Sequence, residues 1–263
     1  MLGKLLKYEF KSTARIFLPL YALVIIFSVI CRVFNMLSEK LEVLMIPGTI
    51  LYVLYSLLII AVIIITFIAV LSQFYKNLIG DEGYLMFTIP VEPYNHILTK
   101  MIVSVTWIIS SVIIGILSLF ILIINKGLWE VLAAALKNPM VLSVITHILI
   151  IMAAAVICNI LMIYTSISLG QLVTGHKIIG SVAAYLGLYM AEQIVGVILL
   201  LVLSGTGLNI FSFGEINNSS FADVINGNFL TVFTLLLCGE YTCFSVAYFC
   251  ITNHIFNKKL NLE

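Results

Sequence analysis

The sequence predicts an all-α polytopic membrane protein of about six transmembrane helices. An N-terminal interfacial helix precedes them, and a short cytoplasmic helix follows the second span. Three observations lead there. Hydrophobic residues make up 62% of the 263-residue chain and charged residues only 10%, against roughly 45–50% and about 25% in an ordinary soluble domain. Mean hydropathy is +1.20. Apolar stretches near 16–35, 48–74, 98–125, 140–166, 178–204 and 229–253 each approach or exceed the about 20 residues that cross the hydrocarbon as a helix. The cations, finally, fall unevenly between the two sides. With the N-terminus inside, Lys4, Lys7, Lys11, Arg15, Lys76, Lys100, Lys177, Lys258 and Lys259 are inner and only Arg32, Lys40, Lys126 and Lys137 are outer. Loops rich in Lys and Arg stay cytoplasmic, so both termini are expected inside the cell membrane.

Residues 1–15, MLGKLLKYEFKSTAR, put Leu2, Leu5, Leu6 and Phe10 at helical spacing beside four cations, the pattern of a helix lying in the inner interface. It serves either as a topology-setting anchor or as a platform for a cytosolic partner. No small-x-small cleavage site follows it, so the first apolar run is expected to stay as a span. Residues 16–257 then form the transmembrane domain and 258–263 a cytoplasmic tail. Subtracting the spans leaves no room for a soluble catalytic domain, and a net charge of +1 gives no basis for nucleic-acid binding.

The segment between spans 2 and 3 carries its own helix signals. Gly80 suits the left-handed conformation that ends a helix, Asp81 offers an N-cap oxygen, and Pro90 stops a short helix through Glu82, Gly83, Tyr84, Leu85, Met86 and Phe87. Pro93 fits the first turn of span 3, where its missing N–H costs nothing. This short cytoplasmic helix either dips its apolar side chains into headgroups or docks in a groove of another protein. Between spans 3 and 4, KGLWEVLAAALKNP reads as an outer interfacial helix with Trp129 at headgroup level. The outer loop near 205–228 holds Glu215 and Asp223, no Lys or Arg, and sequons beginning at Asn217 and Asn218.

Polar groups inside the spans are the candidates for function. In span 5, Ala183, Gly187 and Ala191 recur every four residues, a stripe that invites close approach of another helix. Tyr185, Tyr189, Glu192, Gln193 and Gly196 lie roughly opposite, at 100° per residue. Glu240 sits near the middle of span 6. A charged acid there costs about 2.5–3.5 kcal/mol on insertion scales, so such residues face a cavity or a polar partner. His147 and Asn159 in span 4 suit bonds between helices. Tyr185, Tyr189, Glu192, Gln193 and Glu240 are thus candidates to line a substrate cavity.

Catalytic signatures are missing from the sequence. Gly170 to Lys177, GQLVTGHK, has the Gly spacing of a phosphate loop, but the Lys is one place late, no Ser or Thr follows it, and two spans flank it. Triad, zincin and nucleophile-elbow patterns do not occur. The five cysteines, Cys31, Cys158, Cys238, Cys243 and Cys250, sit in apolar runs without C-x-x-C spacing and read as small core residues. Cys250 and His254 share a helical face, but two ligands do not make a metal site.

Gly80-Asp81-Glu82-Gly83-Tyr84-Leu85-Met86-Phe87-Thr88-Ile89-Pro90-Val91, with Ser168-Leu169-Gly170-Gln171-Leu172 and His176-Lys177-Ile178-Ile179-Gly180-Ser181, resembles the small ABC-2-type permeases of Gram-positive bacteria, which are of the type V exporter kind. The resemblance covers the six-span layout, and the first string is its most specific part. It implies a permease without its own ATPase, pairing with a second permease chain, alike or different, and binding two cytosolic ABC ATPase subunits that carry ATP and magnesium. It implies that the N-terminal helix and Gly80, Asp81, Glu82, Gly83, Tyr84, Leu85, Met86 and Phe87 contact those subunits. It implies export or expulsion of an amphiphilic substrate such as an antimicrobial peptide or lipid, and it supplies no substrate residues. Two alternatives stand beside it: a proton-driven secondary transporter using Glu192 and Glu240, against which the sequence shows no inverted repeat, and a membrane scaffold or immunity protein that transports nothing.

Overall fold

The computed structural model describes residues 2–38, 45–75, 93–124, 126–173, 175–205 and 227–258. All described regular structure is helical: α1 (Leu2–Ser38), α2 (Met45–Phe74), α3 (Pro93–Ile123), α4 (Lys126–Lys137), α5 (Pro139–Gly170), α6 (Lys177–Gly205) and α7 (Gly227–Lys258). Six of the seven, all but α4, are long and apolar enough to cross a membrane. Helices are what such a sequence must form, because hydrocarbon offers no partner for an unpaired backbone N–H or C=O. The chain is a multi-pass helical membrane protein, and it divides into two compact units between Ala134 and Ala135.

In the first unit, α1 packs against both α3 and α2. The expected N-terminal helix and span 1 are continuous: α1 runs 37 residues without a break at 15, carrying Pro19 inside it. At about 1.5 Å per residue it exceeds the thickness of the hydrocarbon by several turns. Its aromatic side chains make the core of the unit. Phe17 stacks on Trp107 with ring centroids 4.5 Å apart, and Tyr21, Val24, Val62 and Val103 complete the cluster. Polar bonds fix the register. Trp107 Nε1 donates to Thr13 Oγ1 at 2.7 Å, the Tyr21 and Ser111 hydroxyls pair at 2.7 Å, Tyr55 and Ser118 do the same at 2.7 Å, and Arg32 donates to the Ile121 carbonyl at 2.8 Å. These partners advance together along α1 and α3 and in opposite senses along α2, giving an up-down-up arrangement.

Lys100, one of the nine cations expected on the inner side, is buried within the unit. Its Nζ donates to Glu9 Oε1 at 2.6 Å, with the two side chains 1% and 9% exposed. The N-terminal segment, read from its four cations alone, therefore also contributes a buried anion that ties α1 to the start of α3.

A helix forms where the sequence suggests one, as α4, and Trp129 meets Phe120 edge-on at 6.3 Å. Its end flows into α5 through Asn138, whose side chain accepts from the Met140 N–H while Pro139 occupies the first turn. Both are standard start signals.

In the second unit, α5 packs against α7 and α6, and α6 touches α7 more sparingly. The Thr165 hydroxyl donates to the Tyr248 carbonyl and pairs with Thr252 Oγ1, each at 3.0 Å. The stretch with phosphate-loop spacing is a tight helical hairpin. A Cβ on Gly170 would overlap Ser181, one on Gly180 would lie 2.9 Å from a Val173 methyl, and Gly175 has φ +98°. Glycine at 170 is demanded by the close approach of the two helices, and at 175 by the left-handed backbone.

Candidate functional site

Three facts bring polar groups together in the second unit. Glu192 is the sixteenth of the 29 residues of α6 and Glu240 the fourteenth of the 32 of α7, so both fall at mid-helix. Both are buried, at 7% and 8% exposure. They lie within electrostatic reach of one another, and the residue that admits Glu240 is Gly196: a Cβ there would stand 3.3 Å from Glu240 Oε1. Gly196 is one turn beyond Glu192 on the same face of α6. Glycine thus opens the space in which the second carboxyl settles against the helix that carries the first.

Around this pair are Cys158 of α5 and Tyr241 and Tyr248 of α7, each within electrostatic reach of Glu192, with Ser245 beside Cys158. Tyr248 is 2% exposed. Its phenol faces the Glu192 carboxyl without closing a hydrogen bond of acceptable geometry, and both the phenol oxygen and Glu192 Oε2 are buried without a hydrogen-bond partner. Spans α5, α6 and α7 contain no Lys or Arg between Pro139 and Gly170, Ile178 and Val202, or Leu230 and Phe256. No group of three His, Cys, Asp or Glu side chains among the described residues is arranged to hold a metal.

The sequence-derived candidates divide accordingly. Glu192 and Glu240 come within electrostatic reach of one another. Tyr185 is half-buried, stacks on Tyr189 with centroids 6.4 Å apart, and reaches Glu192 electrostatically. Tyr189 is 43% exposed and Gln193 is also exposed, so these two stand outside the buried pair. Two expectations are corrected. The stripe Ala183, Gly187 and Ala191 is exposed and Gly187 has nothing near its missing Cβ; within this chain α6 packs on its Glu192 and Gly196 face instead, where Gly196 leaves room for Glu240. His147 and Asn159 bond within their own helix, His147 Nδ1 with the Ser143 carbonyl at 2.7 Å and Asn159 Nδ2 to the Ala155 carbonyl at 2.9 Å. The second lone pair of a helix carbonyl one turn back satisfies each more readily than a partner on another helix.

Gly80, Asp81, Glu82, Gly83, Tyr84, Leu85, Met86 and Phe87 lie outside the described residues, as do Glu215, Asp223 and the two sequons. Tyr241, Ser245, Tyr248 and Cys158 were not singled out from the sequence. A signal existed: Cys238, Tyr241, Ser245, Tyr248 and Thr252 recur at spacings of three and four along α7, a polar stripe with the period of a packed helix face.

Comparison of the chain with protein-family models, curated proteins and solved structures finds no match.

Proposed function

We propose that the chain is the membrane permease subunit of an ATP-binding-cassette exporter, moving or expelling an amphiphilic substrate with the help of separate cytosolic ATPase subunits. The ATP-driven part rests on the resemblance of residues 80–91, 168–172 and 176–181 to ABC-2 permeases and on a chain made almost wholly of spans. The observation that supports transport itself is the buried Glu192 and Glu240 pair at mid-helix. Two acids in the middle of apolar helices, without a cation near them on those helices, are costly to keep for packing alone and are usual in a translocation path. In this scheme the substrate's polar part meets the pair, and Gly80 to Phe87 and the start of α1 transmit the ATPase stroke. ATP and magnesium belong to the partner.

The same pair gives a second reading its footing, a proton-driven transporter in which the two carboxyls exchange a proton. Affinity purification of the full-length chain from native membranes separates them. ATPase subunits recovered in stoichiometric amounts support the exporter; a chain that purifies without any ATPase favours the proton-driven reading.

A further inference from the structure

We propose that Glu192, Glu240 and Tyr248 form a binding site for the primary ammonium group of an amphiphile, so that the molecule moved is a cationic, amine-bearing one. The purpose of the site rests on the exporter reading; its existence rests on the geometry.

Charge comes first. Two buried carboxyls lie within electrostatic reach with no Lys or Arg at mid-helix in α5, α6 or α7, the lysines of α6 and α7 standing at their ends, Lys177 and Lys258. Only a ligand or a proton can balance them there. The second observation is separate from charge: Tyr248, 2% exposed, faces the Glu192 carboxyl, and its phenol oxygen and Glu192 Oε2 are both buried without a hydrogen bond of acceptable geometry. An unfilled buried acceptor or donor costs about 1–3 kcal/mol, so the arrangement is incomplete as it stands. An ammonium brings three N–H donors and no acceptor. Glu192 Oε2, the Glu240 carboxyl and the Tyr248 oxygen supply three acceptors, with the phenol proton free to turn to Glu192. A divalent metal fits poorly, since calcium asks for about six to eight oxygens and the described residues offer no cluster of three charged or soft ligands.

The approach suits an amine with a tail. Tyr185 lies two turns before Glu192 on the same face of α6 and stacks on the exposed Tyr189. Aromatic faces hold ammonium groups by cation–π attraction. Beyond them, toward the start of α6 and on the same side of the helix, Val182 and Ile178 are exposed, an apolar surface on which an alkyl tail remains in contact with lipid while its head reaches the acids.

The test uses full-length protein in lipid nanodiscs and dansylcadaverine, a fluorescent primary amine, displaced by hexadecylamine or by hexadecanol. Saturable binding is expected beyond that of empty nanodiscs, with hexadecylamine displacing the probe at about tenfold lower concentration than hexadecanol. Glu192→Gln and Glu240→Gln should each weaken amine binding about tenfold, the value of a lost charged hydrogen bond. Equal displacement by the alcohol, or unchanged amine affinity in both variants, overturns the proposal; the latter marks the carboxyls as a proton-sharing pair. If the Gln variants lose the native unfolding transition, Tyr248→Phe replaces them, and unchanged affinity in it is equally fatal. No ATPase is needed for binding. An amine-binding chain that purifies without ATPase therefore sinks the exporter and keeps the site, whereas a chain bound to ATPase but blind to amines does the reverse.

Discussion

Replacing Lys100 by Met should destabilise the first unit by about 3–5 kcal/mol, the usual cost of removing one partner from a buried ion pair. The reasoning starts from the 2.6 Å contact between Lys100 Nζ and Glu9 Oε1 and from their 1% and 9% exposure. At an effective dielectric constant of about 20, unit charges at that distance attract by about 6 kcal/mol, which offsets the several kcal/mol each ion loses on leaving water. Lys100→Met keeps most of the aliphatic stem but leaves the Glu9 carboxylate buried against it. Glu9→Gln should cost less, because an amide is cheaper to bury than a charge. The double variant Glu9→Leu with Lys100→Met should return to within about 1 kcal/mol of the parent, since a well-packed apolar pair replaces a buried ionic one at little cost. Reversible unfolding in mixed micelles, run as a double-mutant cycle, gives the coupling directly. A loss below about 0.5 kcal/mol in Lys100→Met would refute the reasoning and return Lys100 to the set of exposed, topology-setting cations.

Gly170→Ala should lower stability by about 1–3 kcal/mol, because its Cβ would overlap Ser181 including backbone and packed interiors resist added methyls. Gly48→Ala, with nothing near its Cβ, should be neutral or stabilising by up to about 1 kcal/mol; thermal unfolding of the two side by side checks both. Trp107→Phe should cost about 0.5–1.5 kcal/mol for the lost bond to Thr13 while keeping the Phe17 contact, a difference readable in the same assay. Glu192→Gln is expected to leave thermal stability unchanged yet reduce conferred resistance, most for cationic compounds, and Glu240→Gln to do the same; unchanged transport in both removes the carboxyls from the path. Tyr84→Ala with Phe87→Ala should preserve membrane insertion and abolish copurification of the ATPase.

The spans were legible because their signal is gross: an apolar run long enough to cross lipid leaves the backbone one choice, and α2, α5, α6 and α7 begin and end within about five residues of where hydropathy puts them. Pro93 opens α3 as its missing N–H suggests. What composition hides is pairing. Glu9 reads as one anion in a basic segment until a helix 91 residues away presents Lys100 to it. Glu192 and Glu240 were each conspicuous as acids in apolar helices, but their meeting depends on Gly196, whose importance is the absence of a side chain. The small-residue stripe misled for the converse reason: Ala183, Gly187 and Ala191 permit close packing without compelling it, and the carboxyl face of α6 is the one that α7 meets.

The most direct measurement of the central claim is ATP hydrolysis that travels with the chain. The full-length protein, isolated by affinity tag from native membranes into lipid nanodiscs, should bring with it vanadate-sensitive ATPase activity, and the Tyr84→Ala, Phe87→Ala variant should bring none. A preparation of the unaltered chain that hydrolyses no ATP, while vesicles containing it move an amine probe under an imposed pH gradient, would contradict the account and make Glu192 and Glu240 the proton-coupling residues of a different machine.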